Sequence, residues 1–135
     1  MNWKKFSLAW VVVFVLVFFL GFLIHGVLLS GQYEGLEGMM RPEEEAMSYL
    51  PFIVLADLIF AFAFVYIYAR GKEVKPWLGQ GLRFGLLVWL IWAVPIFLID
   101  YATMPVPAGL IGMQIGLELV DMLILGIAAA GIYRE

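Results

Sequence analysis

The chain has 135 residues, is 64% hydrophobic and 14% charged, and has a mean hydropathy of +0.99. A soluble domain is about half apolar and about a quarter charged, so this composition excludes a water-soluble globule and fits one polytopic membrane domain. Cysteine is absent, which excludes disulfides, thiolate metal sites, nucleophilic thiols and with them a quinone-linked disulfide oxidoreductase.

A hydrocarbon core of about 30 Å needs about 20 apolar residues to cross it. Four runs qualify, at about 6–29, 49–69, 78–101 and 109–132. The first follows Lys4 and Lys5, as a secretory signal would. Its apolar stretch exceeds the usual signal core of about 7–15 residues and no A-x-A site follows it, so a retained span is expected. In lipid the backbone must satisfy its own hydrogen bonds, and the connections are short. The expected fold is all-α: a four-transmembrane-helix antiparallel bundle.

Orientation is read from Lys and Arg in short loops. Lys4, Lys5, Arg70, Lys72, Lys75, Arg83 and Arg134 all fall on one side of a four-span path. Arg41 stands alone on the other, among Glu34, Glu37, Glu43, Glu44 and Glu45. Both termini are therefore expected in the cytoplasm. Tyr33, Tyr49 and Tyr101 mark the outer boundary; Trp3, Trp10, Tyr66, Tyr68, Trp77 and Tyr133 mark the inner one.

Within the longest loop, "SGQYEGLEGMMRPEEEAMSY", glycines mark a flexible first half. Pro42 suits a first helical position, with Glu43, Glu44 and Glu45 at the positive end of the helix dipole. The second helix should then bend near Pro51. Pro95 falls inside span three and predicts a kink. Pro107 stands near the start of helix four. Gly81-x-x-x-Gly85 and Gly112-x-x-x-Gly116 fit the small-residue spacing of closely packed membrane helices.

The fourth run carries Gln114, Glu118 and Asp121, spaced i, i+4, i+7. At 3.6 residues per turn these form one stripe. A charge at the bilayer centre costs at least about 2.5–3.5 kcal/mol, so the stripe should face the bundle. At about 1.5 Å of rise per residue, His25 shares a level with Gln114, Asp57 with Glu118, and Arg83 reaches inward to Asp121. Two buried carboxyls close together do not readily both ionise, so Asp57 and Glu118 are expected to share a proton. Trp89 and Trp92 lie mid-span, and their indole N–H groups call for an acceptor, a carboxylate being the expected one. Asp100 reads as a solvated helix end.

These residues admit two readings. One is a polar bundle centre of Asp57, Arg83, Gln114, Glu118 and Asp121 that binds a ligand or conducts a proton or small solute, with His25 as a relay. In the other the same groups only hold helices together, or face a partner in a larger membrane complex such as a respiratory or photosynthetic one. Tetrapyrrole ligation by His25 is a minor option, since Gly21 four residues earlier clears space for a ring. No H-E-x-x-H, phosphate-binding glycine loop or serine elbow is present, and no basic footprint suits nucleic acid. An enzyme has little support beyond the acids. The expected partners are the bilayer and either further copies of the chain, which transport would require, or other membrane subunits.

The layout, with "FLGFLIHGVLLSGQY" after a short basic start and the small-residue exit "GFLIHGVL", resembles the small uncharacterised four-span membrane proteins common in bacteria. The resemblance implies a bacterial inner-membrane protein with no assigned reaction, and it carries over no functional residue.

Overall fold

The computed structural model describes residues 1–134. Every regular element among them is helical: α1 (Trp3–Gly21), a π-helical continuation (Phe22–Leu28), α2 (Ser30–Tyr33), a 3₁₀ segment (Glu34–Met39), α3 (Glu43–Ser48), α4 (Leu50–Gly71), α5 (Trp77–Ile91), α6 (Ala93–Thr103) and α7 (Ala108–Tyr133). Four helical units are long and apolar enough to cross a membrane: Trp3–Leu28, Leu50–Gly71, Trp77–Thr103 and Ala108–Tyr133. Each lies within a few residues of an expected run.

The breaks follow from local chemistry. Asn2 caps α1, its Oδ1 accepting from the Lys5 amide at 3.1 Å. Pro42 is the cap of α3, with ψ at 148°, rather than its first helical residue, and the three glutamates form the first turn. The bend expected at Pro51 falls at Tyr49, between α3 and α4, with Pro51 in the first turn of α4. Pro95 has no N–H for the Ile91 carbonyl and its ring crowds that group. The chain answers at Trp92, whose φ of −111° and ψ of −70° separate α5 from α6. The half of the long loop expected to be flexible instead forms α2 and the 3₁₀ turn, with Leu36 packed on Ile24, Leu29 and Leu110.

In lipid the hydrocarbon is as apolar as leucine, so helices associate through close packing and hydrogen bonds. Helix α7 is the hub: 39% of its most apolar stretch is buried, against 17% in each of the other three spans. Against it, α5 approaches at backbone contact. A Cβ on Gly81 would lie 2.6 Å from the Gly126 carbonyl oxygen, and one on Gly85 would overlap the Met122 carbonyl. Gly112 and Gly116 have open space around them, so of the two small-residue pairs only the first makes a helix contact, and Gly126 completes it. Aromatic edges join the other spans. Phe62 packs on Phe6 and Trp10 at 5.3 and 5.4 Å between ring centroids, and Phe84 packs on Phe64 at 4.7 Å. At one end Lys5 Nζ donates to the Arg134 carbonyl at 2.7 Å, so the first and last helices meet where the termini lie.

Candidate functional site

The i, i+4, i+7 stripe of α7 faces inward as its spacing required: Gln114, Glu118 and Asp121 are all buried. The stripe continues through Leu125 and Ala129 to Tyr133. Its polar part meets the π-helical stretch of the first span. The Leu29 amide closes on the Ile24 carbonyl at 2.9 Å, a five-residue hydrogen bond. Such turns are rare and concentrate at functional sites, and this one carries His25.

His25 is hydrogen-bonded at both ring nitrogens. Nδ1 lies 2.7 Å from Tyr33 Oη and Nε2 lies 3.1 Å from Glu118 Oε1. Gln114 Nε2 donates to the same Tyr33 oxygen at 3.0 Å. One assignment uses every donor once: Gln114 N–H to Tyr33 oxygen, Tyr33 O–H to His25 Nδ1, and His25 Nε2–H to the Glu118 carboxylate. If His25 takes a second proton, Tyr33 Oη turns from donor to acceptor and no heavy atom need move. Burial pushes the Tyr33 phenol up from 10.0, the Gln114 hydrogen bond pulls it back and the Glu118 charge raises it further. Its hydroxyl proton is thus in place at neutral pH.

The chain leads from one cavity to another. On the Tyr33 side, a cavity of about 220 Å³ is lined by Tyr33, Gln114, Asp100 and apolar residues including Met39 and Met104. On the Glu118 side, a cavity of about 290 Å³ is lined by His25, Asp57, Glu118, Asp121 and the rings of Phe18, Phe60 and Trp92. Asp121 Oδ1 is buried with no hydrogen-bond partner. Asp57 is half-buried on α4. Beyond Asp121, towards the termini, the interior is closed by Ala61, Val65, Leu125 and Ala129, all fully buried.

Most of the expected centre is therefore brought together: Asp57, Glu118 and Asp121 in one cavity, Gln114 and His25 through Tyr33. Arg83 is not part of it. It is exposed and lines a separate cavity with Tyr68, Lys72, Glu73 and Gln80 near the end that carries the termini. The reason is azimuth. Arg83 is two residues from both Gly81 and Gly85, or about 200° around the helix, and those two glycines face α7. Depth alone had suggested the pairing with Asp121. Trp89 also departs from expectation, donating to the Ile115 carbonyl at 2.8 Å rather than to a carboxylate. Asp100 is half-buried at the first cavity rather than only a solvated end. Among the charges of the long loop, Arg41 pairs with Glu45 and lies over the Tyr49 ring.

Both imidazole nitrogens of His25 are engaged, so neither is left for a tetrapyrrole iron. Gly21 does line the acid cavity with open space around it. Sequence reasoning took Tyr33 for a boundary aromatic and missed it as the link between Gln114 and His25. Its only signal was proximity to His25, which a π turn had to convert into contact.

Four apolar spans around a buried polar site define a multi-pass membrane protein. The chain belongs to the family described as Protein of unknown function (DUF1761), whose model matches residues 8–130. No curated protein and no solved structure matches it.

Proposed function

We propose that this is a ligand-binding protein of the bacterial inner membrane, an antiparallel four-helix bundle with both termini cytoplasmic. Its acid-lined cavity exchanges protons with the outer side. The observation that carries this reading is the unbroken sequence of hydrogen bonds from Tyr33 through His25 to Glu118, ending in a cavity with Asp57 and the unpartnered Asp121. Outward transfer starts from the other His25 tautomer: protonated Glu118 donates to the free Nε2, Nδ1–H passes to the Tyr33 oxygen, Tyr33 O–H leaves towards the Asp100 cavity, and the ring ends as Nε2–H beside the Glu118 carboxylate.

Binding is favoured over conduction because the path stops. The layer directly below Asp121, made by Ala61, Val65, Leu125 and Ala129, holds no titratable group, and a charge in such a layer costs at least about 2.5–3.5 kcal/mol. One copy of the chain supplies all the acids of the cavity. Orientation rests on the charge split, with seven of the eight Lys and Arg residues on the side of the termini. Single cysteines at Gly35 and Gly71 test it: an impermeant thiol reagent on intact cells should label the first and spare the second.

Infrared difference spectra across a pH titration test the site. Protonated-carboxyl bands should appear that Asp57→Asn, Glu118→Gln or Asp121→Asn removes, and proteoliposomes should leak protons no faster than empty liposomes. A titration that none of the three variants alters would leave the acids with a purely structural role. Fast proton leak would replace binding with conduction.

A further inference from the structure

We infer that the ligand of the acid-lined cavity is a monovalent organic cation, an ammonium group bearing apolar substituents. This rests on the binding reading above and names its ligand class.

Charge gives the sign. Asp57 from α4 and Glu118 and Asp121 from α7 line the cavity, and His25 from the π segment is the one basic group there. His25 is already committed to Glu118. Arg83, the counter-charge that depth along the helix suggested, lines a different cavity. Asp121 is 2% exposed, and its Oδ1 has no partner. A buried polar oxygen left unpaired is costly, and a cation or a cationic N–H group in the cavity would supply the missing contact.

The walls give the chemistry. Phe18, Phe60 and Trp92 line the same space, and the Phe60 and Trp92 rings stand 6.3 Å apart, tilted by 43°. Aromatic faces attract cations, tryptophan most strongly, and quaternary ammonium groups are often recognised in this way. Two observations argue against a bare metal ion: among the described residues no three carboxylate or imidazole groups converge as ligands, and about 290 Å³ is far more room than an ion fills. Most of the wall is apolar, which disfavours a polyol.

The mouth suits the substituents. Ile53, Ala56 and Trp92 line the cavity and are exposed on the apolar flank of the bundle. The opening thus faces the lipid side, which suits the apolar substituents while the ammonium group sits among the acids. When the cation enters, it takes the place of a proton held by the carboxyl cluster. That proton leaves through Glu118, His25 and Tyr33 to water, so the charge in the cavity is conserved and affinity rises with pH.

The test uses benzyltrimethylammonium and its uncharged carbon analogue neopentylbenzene, titrated calorimetrically into the full chain in nanodiscs. The ammonium should bind at least about tenfold more tightly than the hydrocarbon. Asp121→Asn should weaken it by a similar factor, Trp92→Leu should weaken it several-fold, and Arg83→Ala should leave it unchanged. If Asp121→Asn does not fold, Asp57→Asn at the half-buried site carries the same comparison. Equal binding of the two probes, or binding indifferent to the carboxyl variants, overturns the inference. A protein whose acids still titrate in the infrared but which binds no ammonium loses only this ligand assignment; one whose acids do not titrate loses the reading beneath it.

Discussion

His25 Nε2 lies 3.1 Å from Glu118 Oε1, a contact across 93 positions of sequence that ties the π turn of the first span to the middle of the last. An amide oxygen accepts from Nε2–H as a carboxylate does. Glu118→Gln should therefore unfold at nearly the parent temperature in mild detergent, whereas Glu118→Leu removes the acceptor of the part-buried His25 and should lose about 1 kcal/mol. Equal melting of the two variants would show that the bond contributes nothing to stability.

The contact of α5 with α7 is set by backbone approach, so its glycines should be intolerant in a position-specific way. Gly85→Ala and Gly126→Ala place a methyl against main-chain carbonyl groups, and such overpacking costs typically about 1–3 kcal/mol. Gly112→Ala and Gly116→Ala meet open space. They should be neutral or add about 0.5–1 kcal/mol by restricting the unfolded chain. Thermal melts of the four variants check this, and a loss at Gly112 or Gly116 matching that at Gly85 would count against the packing described.

Arg83 is exposed at the end of the molecule that carries the termini, away from the acids. Arg83→Ala should shift stability by no more than about 0.5 kcal/mol. Combined with Asp121→Asn, the effects should add within about 0.3–0.5 kcal/mol. A double mutant clearly better than the sum of its parts would restore the ion pair that depth alone suggested.

The fate of Arg83 shows where the sequence stops being informative. Hydropathy and length locate the spans, and the spacing of Gln114, Glu118 and Asp121 identifies the buried face of α7, because a charge facing lipid is too costly to occur. Rise per residue places Asp57 level with Glu118, and the two do line one cavity. What the pattern lacks is the rotation of each helix about its axis. Span three carries a marker in Gly81 and Gly85, from which Arg83 lies about 200° around the helix, but spans one and two hold one polar residue each at depth, His25 and Asp57, too few to mark an inner face. Arg83 was given the right helix and an approximate depth but the wrong side. Tyr33 was hidden for a different reason: the five-residue hydrogen bonding after Phe22 has no sequence signature, and without it the loop residue does not meet His25. Trp92 joined the cavity wall through the break that Pro95 forces three residues later.

The central claim is that the carboxyl cluster communicates by proton exchange with the Tyr33 side of the membrane and is sealed from the side of the termini. The most direct measurement is time-resolved infrared absorption of the protonated carboxyls in proteoliposomes carrying the protein in one orientation, after a pH step applied to one face at a time. A step on the Tyr33 face should change the carboxyl signal promptly, Tyr33→Phe and His25→Phe should each slow that response, and a step on the face of the termini should leave it unchanged. A response to the opposite face, or one that neither variant slows, would contradict the account.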